Sequence, residues 1–424
     1  MRTVERLYYF DSFLQKFSAR VTDIRELSRT DGQSVWQVAL DRSAFYPTSG
    51  GQPHDVGFLR ATSRNGAVLE VPVIAVEEDE HGEVWHQTLK PLLAGTEVSG
   101  EIDWKRRLDH MQQHSGQHLL SAVFARELHT QTVSFHLGDA SSTIDLAVDA
   151  VAAHSLERVE RIVNELIAED RLVSMRAVKR ENAETMLAEG TLRKLPEREG
   201  TIRLIEIADC DLNACGGTHV RSTGQIGGLL IRSMERVRQG LRVEFVCGLR
   251  AVAAARQDFS VLAKSAALLS TPRVEVAAGI ERLTAEVKAH GKEQHRLREE
   301  LATYHATRLA VEEQIADHLR LVRRVFSDRD AEYVKLLASR LVASVPQTVA
   351  VFASGQKEPA LVVLARSGDL GFHAGNVMKE ALAALGLRGG GSAELAQGQV
   401  PEAQLKALLD TLVEAVRENC TARA

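Results

Sequence analysis

The stretch HSGQHLL, residues 114–120, places two potential metal ligands four positions apart. If this stretch is helical, His114 and His118 lie one turn apart on the same face. His110 stands a further turn back, so the pair 110/114 competes with 114/118; we predict 114/118, because His110 would lie in the frayed first turn. A single histidine pair is a weak signal, since two ordinary core or surface histidines would produce the same spacing.

A second stretch, CGGTHV at residues 215–220, strengthens the signal. Cys215 and His219 flank two glycines, which let a backbone turn sharply and approach a ligand closely. One thiolate and three imidazoles from two chain segments are the donor set of a tetrahedral Zn²⁺ site. The two stretches together therefore predict a zinc site that joins distant parts of the chain.

Length and composition set the broad class. The chain has 424 residues, 44% of them hydrophobic and 26% charged, which is typical of a globular protein with two to four domains. A net charge of −5 excludes a generally basic nucleic-acid binder, so any RNA contact must come from local patches. Four cysteines without a disulfide framework indicate a reducing, cytoplasmic location. The chain has neither a signal-peptide pattern nor an apolar run long enough for a membrane span.

The first ninety residues predict a small β-barrel. Short alternating runs such as SVWQVAL (34–40) and VLEVPVIAVEE (68–78) are separated by Asp-Gly, Asn-Gly and His-Gly turn signals. Between them, AFYPTSGGQPHDVGF (44–58) has the composition of a loop. We expect residues 1–90 to form this domain.

The pattern then becomes mixed, which predicts an α+β domain over residues 91–255. A capping box of Asp109 and Gln112 would open the histidine-bearing helix. Strand-like segments (TVSFHLG, STIDLAV, TIRLIEIA) alternate with a helical segment at 154–171 and surround the CGGTHV loop.

Residues 251–270 are predicted to be helical, and a second, long helix is predicted within the helical linker 256–327. Thr271 and Pro272 supply an N-cap and a first-turn proline. A seam with 3-4 spacing then runs from Ile280 through Ile315 to Val322, typical of a coiled-coil-like hairpin or a dimer contact. A long amphipathic helix docked on one domain explains the spacing nearly as well.

The last segment, residues 328–424, predicts an α/β domain. TVAVFA and ALVVLAR have the character of buried strands, and the segments around them are amphipathic. A glycine-rich loop, GLRGGGSAELAQG, occupies 386–398; it lacks both the P-loop and the dinucleotide spacing, so it is weak evidence for phosphate binding.

Five motifs together resemble a known family, the freestanding AlaX-type alanyl-tRNA deacylases and the editing and C-terminal parts of alanyl-tRNA synthetase. The motifs occur in the family's order and span nearly the whole chain: FYPTSGGQPHDVG, HSGQHLL, CGGTHV, RVEFVCGLRA and GLRGGGSAELAQG. The C-terminal segment resembles the DHHA1 domain. Because the chain begins in the barrel without an aminoacylation domain, the resemblance implies proofreading of mischarged tRNA(Ala) in trans.

The resemblance also implies site residues. The family's metal-binding motifs fall on His114, His118, Cys215 and His219, and its glycine-rich loop falls on Gly50, Gly51 and Gln52, where we expect Gln52 to contact substrate or tRNA. Two departures concern specificity. Phe135 and His136 replace a polar Gln-Lys pair beside the pocket, and Ser392-Ala393 replaces an Arg-Pro pair in the C-terminal loop.

The expected reaction is hydrolysis of the ester between an amino acid and the terminal ribose of tRNA. Zinc can activate water or polarise the carbonyl, but four protein ligands are typical of a structural ion. In the alternative mechanism the backbone amides of Gly216 and Gly217 hold the water. Hydroxyls of Thr130, Thr132 and Ser134 could bind a serine side chain, so Ser-tRNA(Ala) is the expected substrate, with Gly-tRNA(Ala) second.

The partner surfaces are predicted from charge and spacing. Arginines cluster in one short segment and form the candidate phosphate-contacting patch: Arg232, Arg236, Arg238, Arg242 and Arg250. The seam at 280–322 could mediate a homodimer. Two rival functions remain open at this level: a zinc hydrolase of small esters or amides, and a tRNA-binding module without catalysis.

Overall fold

A computed structural model describes residues 4–30, 33–63, 65–192, 195–196, 200–238, 240–312 and 318–421. The chain divides into two compact units, Met1–Lys264 and Ser265–Ala424. Each unit combines sheets and helices, so the predicted multidomain α+β class is confirmed.

The N-terminal part of the first unit is a closed barrel. Its residues form eight strands: β1 (Glu5–Arg6), β2 (Lys16–Thr30), β3 (Gln33–Leu40), β4 (Arg42–Ser43), β5 (Gly57–Thr62), β6 (Val68–Glu78), β7 (Val84–Thr88) and β8 (Glu97–Ile102). Six of them close the barrel in the order β2-β3-β7-β6-β5-β8. Alternate residues of these strands fill its core, as period-two patterning requires. The barrel therefore extends beyond the expected boundary at residue 90, because β8 pairs with both β2 and β5.

The histidine-bearing helix follows directly. Helix α1 (Trp104–Leu128) is capped by Asp103, whose side chain accepts a hydrogen bond from the Arg106 amide. The predicted capping box at Asp109 is wrong, because the helix begins five residues earlier and Asp109 lies inside it. Most of the helix between Arg107 and Phe124 is buried, so neighbouring elements surround it on several sides.

Two further sheets complete the first unit. The elements are β9 (Thr132–Leu137), β10 (Ser142–Leu146), α2 (Ala153–Ala168), β11 (Val173–Lys179), α3 (Arg180–Ala188), β12 (Thr201–Ile207), β13 (Asp211–Ala214), β14 (Leu229–Val237) and β15 (Gly240–Cys247). One antiparallel sheet has the order β14-β15-β10-β9, and the other has the order β11-β12-β13. Helices α1 and α2 share one hydrophobic core with strands of both sheets. This packing holds the CGGTHV loop, which follows β13, beside α1.

The two predicted helical segments are present as α4 (Gly248–Leu268) and α5 (Val276–Glu312). The predicted cap at Thr271 and Pro272 is wrong, because those residues precede a short 3-10 turn and α5 begins only at Val276. The expected seam is also too long. It includes Ile315, which lies outside the described residues, and Val322, which lies in a strand.

The C-terminal end of α5 docks on its own unit, whereas its first two-thirds expose apolar residues. Ala302, Ala306 and Leu309 belong to a buried cluster. Apolar residues nearer the start stay exposed, among them Ile280, Leu283, Val287 and Leu297. The docked alternative therefore describes the C-terminal end of the helix, and the coiled-coil-like contact stays a prediction for the exposed part.

The second unit carries a five-stranded sheet covered on both faces. Its elements are β16 (Arg320–Phe326), α6 (Ala331–Ser344), β17 (Thr348–Ser354), β18 (Ala360–Arg366), α7 (Ala374–Ala384), β19 (Gly389–Gly391), β20 (Leu395–Val400) and α8 (Glu402–Thr421). The strand order is β16-β17-β18-β20-β19. Residues of α5 and α6 cover one face, and residues of α7 and α8 cover the other.

Two expectations about this unit need correction. The domain was expected from residue 328, but β16 begins at Arg320 and pairs in parallel with β17. The glycine-rich segment was expected to be a loop, but it contributes β19 and β20, which pair with each other. None of the described helices is long and apolar enough to cross a membrane.

Candidate functional site

The four predicted ligands meet in the first unit. His114 and His118 project from α1, and Cys215 and His219 from the loop after β13. One side-chain donor atom of each lies within 4.8 Å of the others, and three of the four residues are buried. The two stretches from which the sequence predicts a site are therefore neighbours in space.

Two of the distances between these atoms fit a zinc ion, and no two of the four atoms are more than 4.8 Å apart. The Cys215 Sγ lies 3.4 Å from His114 Nε2 and 3.2 Å from His219 Nε2. Tetrahedral zinc with bonds of about 2.0–2.3 Å places its ligand atoms roughly 3.5 Å apart. A thiolate with three imidazoles also binds Zn²⁺ in preference to Mg²⁺ or Ca²⁺, which favour oxygen ligands.

Gln52 fixes the His114 ring through a hydrogen bond to its Nδ1 atom. Its Oε1 accepts a hydrogen bond from His114 Nδ1 at 2.8 Å and a second from the Thr218 amide at 3.1 Å. Its Nε2 donates to Thr218 Oγ1 at 2.8 Å. Gln52 is fully buried and is absent from the pocket lining that the structure describes, which argues against the expected direct contact with substrate or tRNA. Its position instead fixes the His114 tautomer and leaves Nε2 for a metal ion.

The other two histidines have outer partners as well. Ser115 Oγ lies 3.1 Å from His219 Nδ1 and also accepts the Val220 amide. Asp211 Oδ2 lies 3.3 Å from His118 Nδ1. All three ligand histidines thus have Nδ1 occupied, which turns Nε2 towards the cluster.

The electrostatics of the cluster favour a bound cation. Burial alone would raise the pKa of Cys215, but the imidazoles of His114 and His219 lower it well below its usual range. Burial lowers the pKa of His219 to about 3. Burial opposes charge on His118 too, yet hydrogen bonds and charges of Asp211 and Cys215 outweigh it and raise its pKa to about 9. The negative side chains thus favour a positive charge here, which a metal ion would supply.

The two loop glycines have different roles. Gly217 packs so closely on the His114 ring that a β-carbon would overlap it, so only glycine fits. The Gly217 amide points to Cys215 Sγ at 3.3 Å. It is therefore engaged there and is a poor candidate for holding water, unlike in the expected pair Gly216 and Gly217. Gly216 lines the pocket and remains the candidate donor.

The cluster opens onto a pocket of about 650 Å³. One side, here called the helix wall, consists of His114, Gln117, His118 and Ser121 of α1 with Thr132 of β9. A second group of lining residues, here called the barrel wall, consists of Arg6, Tyr8, Tyr9, Tyr46 and Glu78. The volume lies within the range of small-molecule sites, about 300–1,000 Å³.

The helix wall contains a polar chain that the sequence did not reveal. Gln117 Nε2 donates to Ser121 Oγ at 2.9 Å, and Thr132 Oγ1 donates to the same oxygen at 2.7 Å. Gln117 Oε1 is buried and accepts no hydrogen bond among the described residues. A buried acceptor without a partner in a pocket is suited to a ligand that donates.

The remaining predicted hydroxyls are engaged elsewhere. Thr130 Oγ1 donates to the Leu128 carbonyl and is absent from the lining that the structure describes. Ser134 lines the pocket, but its Oγ donates to Asp145 Oδ2 at 2.7 Å. Phe135, one of the two departures from the family pattern, packs against Gly51 and stands 5.8 Å from the His114 ring. It therefore forms an apolar edge of the pocket.

The arginine patch is largely ion-paired. Arg232 pairs with Asp258, Arg236 with Asp149, Arg242 with Asp145 and Arg250 with Asp109. Arg238 lies exposed after β14. Arg250 is mostly buried and also donates to the Gly138 carbonyl. The pairs of Arg232, Arg236 and Arg242 are more exposed, and such pairs contribute about 0–1 kcal/mol, so a phosphate could exchange for their carboxylates at low cost.

Family models match two parts of the chain. The model described as "Threonyl and Alanyl tRNA synthetase second additional domain" matches residues 202–243, which include the CGGTHV loop. The DHHA1 domain model matches residues 320–418, the sheet of the second unit.

Individual relatives agree with these matches. The alanyl-tRNA editing protein AlaX-M of Methanosarcina mazei is 35% identical over 244 residues, which are 54% of this chain and 91% of that protein. The alanine–tRNA ligase of Pyrococcus abyssi is 30% identical over 419 residues, which are 96% of this chain. The chain spans 43% of that ligase, less than half of its length.

A solved structure, the C-Ala domain of Aquifex aeolicus alanyl-tRNA synthetase, is 27% identical and covers 24% of this chain and 96% of its own, with a TM-score of 0.21. On the curated relatives and the domain models, the chain belongs to the AlaX-type family of alanyl-tRNA editing proteins and carries a DHHA1 domain.

Proposed function

We propose that this chain is a zinc-dependent aminoacyl-tRNA deacylase that hydrolyses mischarged tRNA(Ala), chiefly Ser-tRNA(Ala) and secondarily Gly-tRNA(Ala). The observation that carries the proposal is the four-ligand cluster opening onto a pocket with a buried, unpartnered acceptor, Gln117 Oε1. The relationship to AlaX-M, an alanyl-tRNA editing protein, supports the choice of substrate.

The residues of the cluster define what the site can do. Bound zinc would supply a Lewis acid next to the ester and would order the pocket. Cys215, His114, His118 and His219 would hold it, and Gln52, Asp211 and Ser115 would keep their rings in position. Gly216 lines the pocket, where its amide could donate a hydrogen bond to attacking water or to the developing oxyanion.

Selectivity follows from the helix wall. A seryl group can donate its hydroxyl to Gln117 Oε1, whereas an alanyl group leaves this buried acceptor unpaired. An unpaired buried group costs about 1–3 kcal/mol, which corresponds to a preference of about five- to 150-fold. Such a preference would spare the correctly charged tRNA.

The direct test compares three substrates with and without a chelator: Ser-tRNA(Ala), Ala-tRNA(Ala) and a small serine ester. We expect rapid, chelator-sensitive hydrolysis of the first only. Equal hydrolysis of the small ester would favour the rival small-ester hydrolase, and tRNA binding without hydrolysis would favour a non-catalytic module. Comparable cleavage of Ser- and Ala-tRNA(Ala) would contradict the editing role.

A substitution tests the selectivity argument. Gln117→Leu should reduce the Ser/Ala preference by about tenfold or more, because it removes the acceptor. Gln112→Leu is the matched control, since Gln112 lies on the same helix but bonds the Gln225 carbonyl outside the pocket. If both variants kept the wild-type preference, Gln117 would have no part in recognising serine.

The exposed arginines and the second unit would serve the tRNA body or a partner copy. Arg232, Arg236, Arg238 and Arg242 lie on or beside the β14–β15 hairpin, where phosphates could reach them. The apolar residues exposed on α5, such as Leu283 and Val287, favour a protein partner over an RNA backbone. A homodimer through this part of α5 is therefore the use we prefer.

Truncation separates the two uses of the second unit. A chain ending at Leu269 should keep zinc and hydrolyse saturating Ser-tRNA(Ala) at a similar kcat. A raised KM with unchanged mass would indicate that the second unit makes a second contact with tRNA. Such a contact raises affinity by increasing the effective concentration of tRNA at the site. A change from dimer to monomer in light scattering would indicate the dimer contact. If neither KM nor mass changed, neither role would hold.

A further inference from the structure

The barrel wall of the pocket is not needed to hold the metal ligands or a small acyl group. Its side chains come from the first ten residues, from the loop after β4 and from the end of β6. The ring of Tyr8 stands edge-on to Tyr9 at 4.9 Å and to Tyr46 at 5.2 Å. An aromatic, polar surface thus lines the same cavity as the helix wall.

The charge on the barrel wall is balanced. Arg6 Nη2 and Nη1 donate to the Glu78 carboxylate at 2.5 and 3.0 Å, and Nη2 also donates to the Gly82 carbonyl. Arg6 is almost fully buried, so its charge is committed to Glu78 and is not available to a phosphate. The wall therefore suits a neutral, polar ligand with an aromatic part rather than an anion.

Tyr8 supplies an unused hydrogen-bonding group. Its side chain is 1% exposed, yet its hydroxyl makes no hydrogen bond to any residue that the structure describes. Burial raises the pKa of this hydroxyl, and the Arg6 guanidinium approaches closely enough to offset part of that rise, but their contact does not meet hydrogen-bond geometry. A buried hydroxyl without a partner is costly unless a ligand or water satisfies it, and Tyr8 lines the cavity.

We infer that the barrel wall is the subsite for the leaving group of the ester, a ribonucleoside, and that the Tyr8 hydroxyl bonds the ribose hydroxyl next to the esterified one. The inference rests on the proposed function. It requires that the acyl group lie against the helix wall, beside the metal ligands, and that the nucleoside extend across the cavity. The pocket should therefore reject tRNA whose terminal ribose lacks the 2′-hydroxyl, and it should also reject serine esters of small alcohols.

Binding of a non-hydrolysable substrate tests this placement without relying on catalysis. The probes are 3′-serylamino-3′-deoxyadenosine, its 2′-deoxy analogue, which lacks the ribose hydroxyl, and serinamide, which lacks the nucleoside. Dissociation constants are measured by calorimetry for the wild type and for Tyr8→Phe, which removes only the hydroxyl. We expect Tyr8→Phe to weaken binding of the first probe by about three- to tenfold, the range for one neutral hydrogen bond.

The four constants for the two nucleoside probes form a double-mutant cycle. Wild type should prefer the ribose probe over the deoxy probe, and Tyr8→Phe should lose that preference while binding serinamide as the wild type does. An equal loss for all three probes, or no loss for any, would overturn the inference. Failure of the proposed function looks different: the wild type would then bind serinamide and the nucleoside probes without hydrolysing Ser-tRNA(Ala), or would bind none of them.

A matched variant controls for folding. Tyr333→Phe removes another buried tyrosine hydroxyl, one that bonds His305 Nδ1 at 2.7 Å in the second unit. This variant should leave all probe affinities unchanged and lower the melting temperature. Tyr8→Phe should leave the melting temperature unchanged or raise it, because its hydroxyl has no partner to lose. A lowered melting temperature for Tyr8→Phe, with unchanged probe affinities, would assign the hydroxyl a structural role and overturn the subsite.

Discussion

His110 and His114 lie one turn apart on the same helix, and each is 1% exposed, yet the protein uses them differently. His114 has Gln52 on Nδ1 and faces Cys215 through Nε2. Neither ring nitrogen of His110 has a hydrogen-bond partner among the described residues, and burial lowers its pKa to about 4. A position on α1 is therefore not enough to make a histidine a candidate metal ligand. Side chains from other segments must also orient its ring, as Gln52 and Cys215 do for His114.

The largest change should come from removing the cluster's thiolate. Cys215→Ala should reduce bound zinc from about one ion per chain to nearly none. Hydrolysis should fall by about a thousandfold, because Lewis-acid stabilisation is worth several kcal/mol. Elemental analysis and single-turnover hydrolysis measure both effects. Cys420→Ala, in the second unit, is the control; normal zinc content and activity in Cys215→Ala would refute the site.

A smaller change should come from the partner that distinguishes His114 from His110. Gln52→Ala should weaken zinc affinity by about ten- to a hundredfold, the usual effect of losing an outer-shell hydrogen bond. Gln52→Glu keeps an acceptor for His114 Nδ1, so it should retain more affinity than the alanine variant. Competition with a chelator and the visible spectrum of the cobalt-substituted protein report this. If both variants bound metal like the wild type, Gln52 would not position His114.

The smallest effect on metal should come from His110 itself. His110→Leu should leave zinc affinity unchanged and alter stability at pH 7.5 by no more than about 1 kcal/mol, because the ring has no hydrogen bonds to lose. The opposite result, a larger zinc loss in His110→Leu than in His118→Ala, would mean that the ligand pair is 110/114.

His110→Leu should nevertheless change the response to acid. Folding lowers the pKa of His110 from 6.5 to about 4, so the unfolded chain takes up more protons as the pH falls through this window. Stability therefore falls between pH 6.5 and 4, by up to about 3 kcal/mol for one histidine. His86, buried with a pKa of about 4, contributes similarly. Denaturant melts at pH 7.5 and 4.5 should show a smaller difference in the variant than in the wild type.

Local pattern predicted most of the elements but not their ends. Alternation predicted strands such as β17 and β18, whose residues are buried as expected. The predicted start of α1 is wrong because Asp103 and Asp109 are both residues that can cap a helix. Which of them does so depends on where the chain turns after β8, and the sequence pattern does not show that. The seam of α5 was extended to Val322 because a 3-4 pattern continues by chance into β16.

Sequence by itself determined which residue types could bind a metal, because thiolate and imidazole chemistry is carried by the residues, and the spacing of His114 with His118 depends only on the helical repeat. Tertiary structure alone decided their partners. Gln52 comes from the barrel, and it meets His114, 62 positions away, only because the barrel packs on α1. The orphaned Gln117 oxygen and Tyr8 hydroxyl are likewise invisible in the sequence, since whether a polar atom is buried and unpaired depends on every segment that surrounds it.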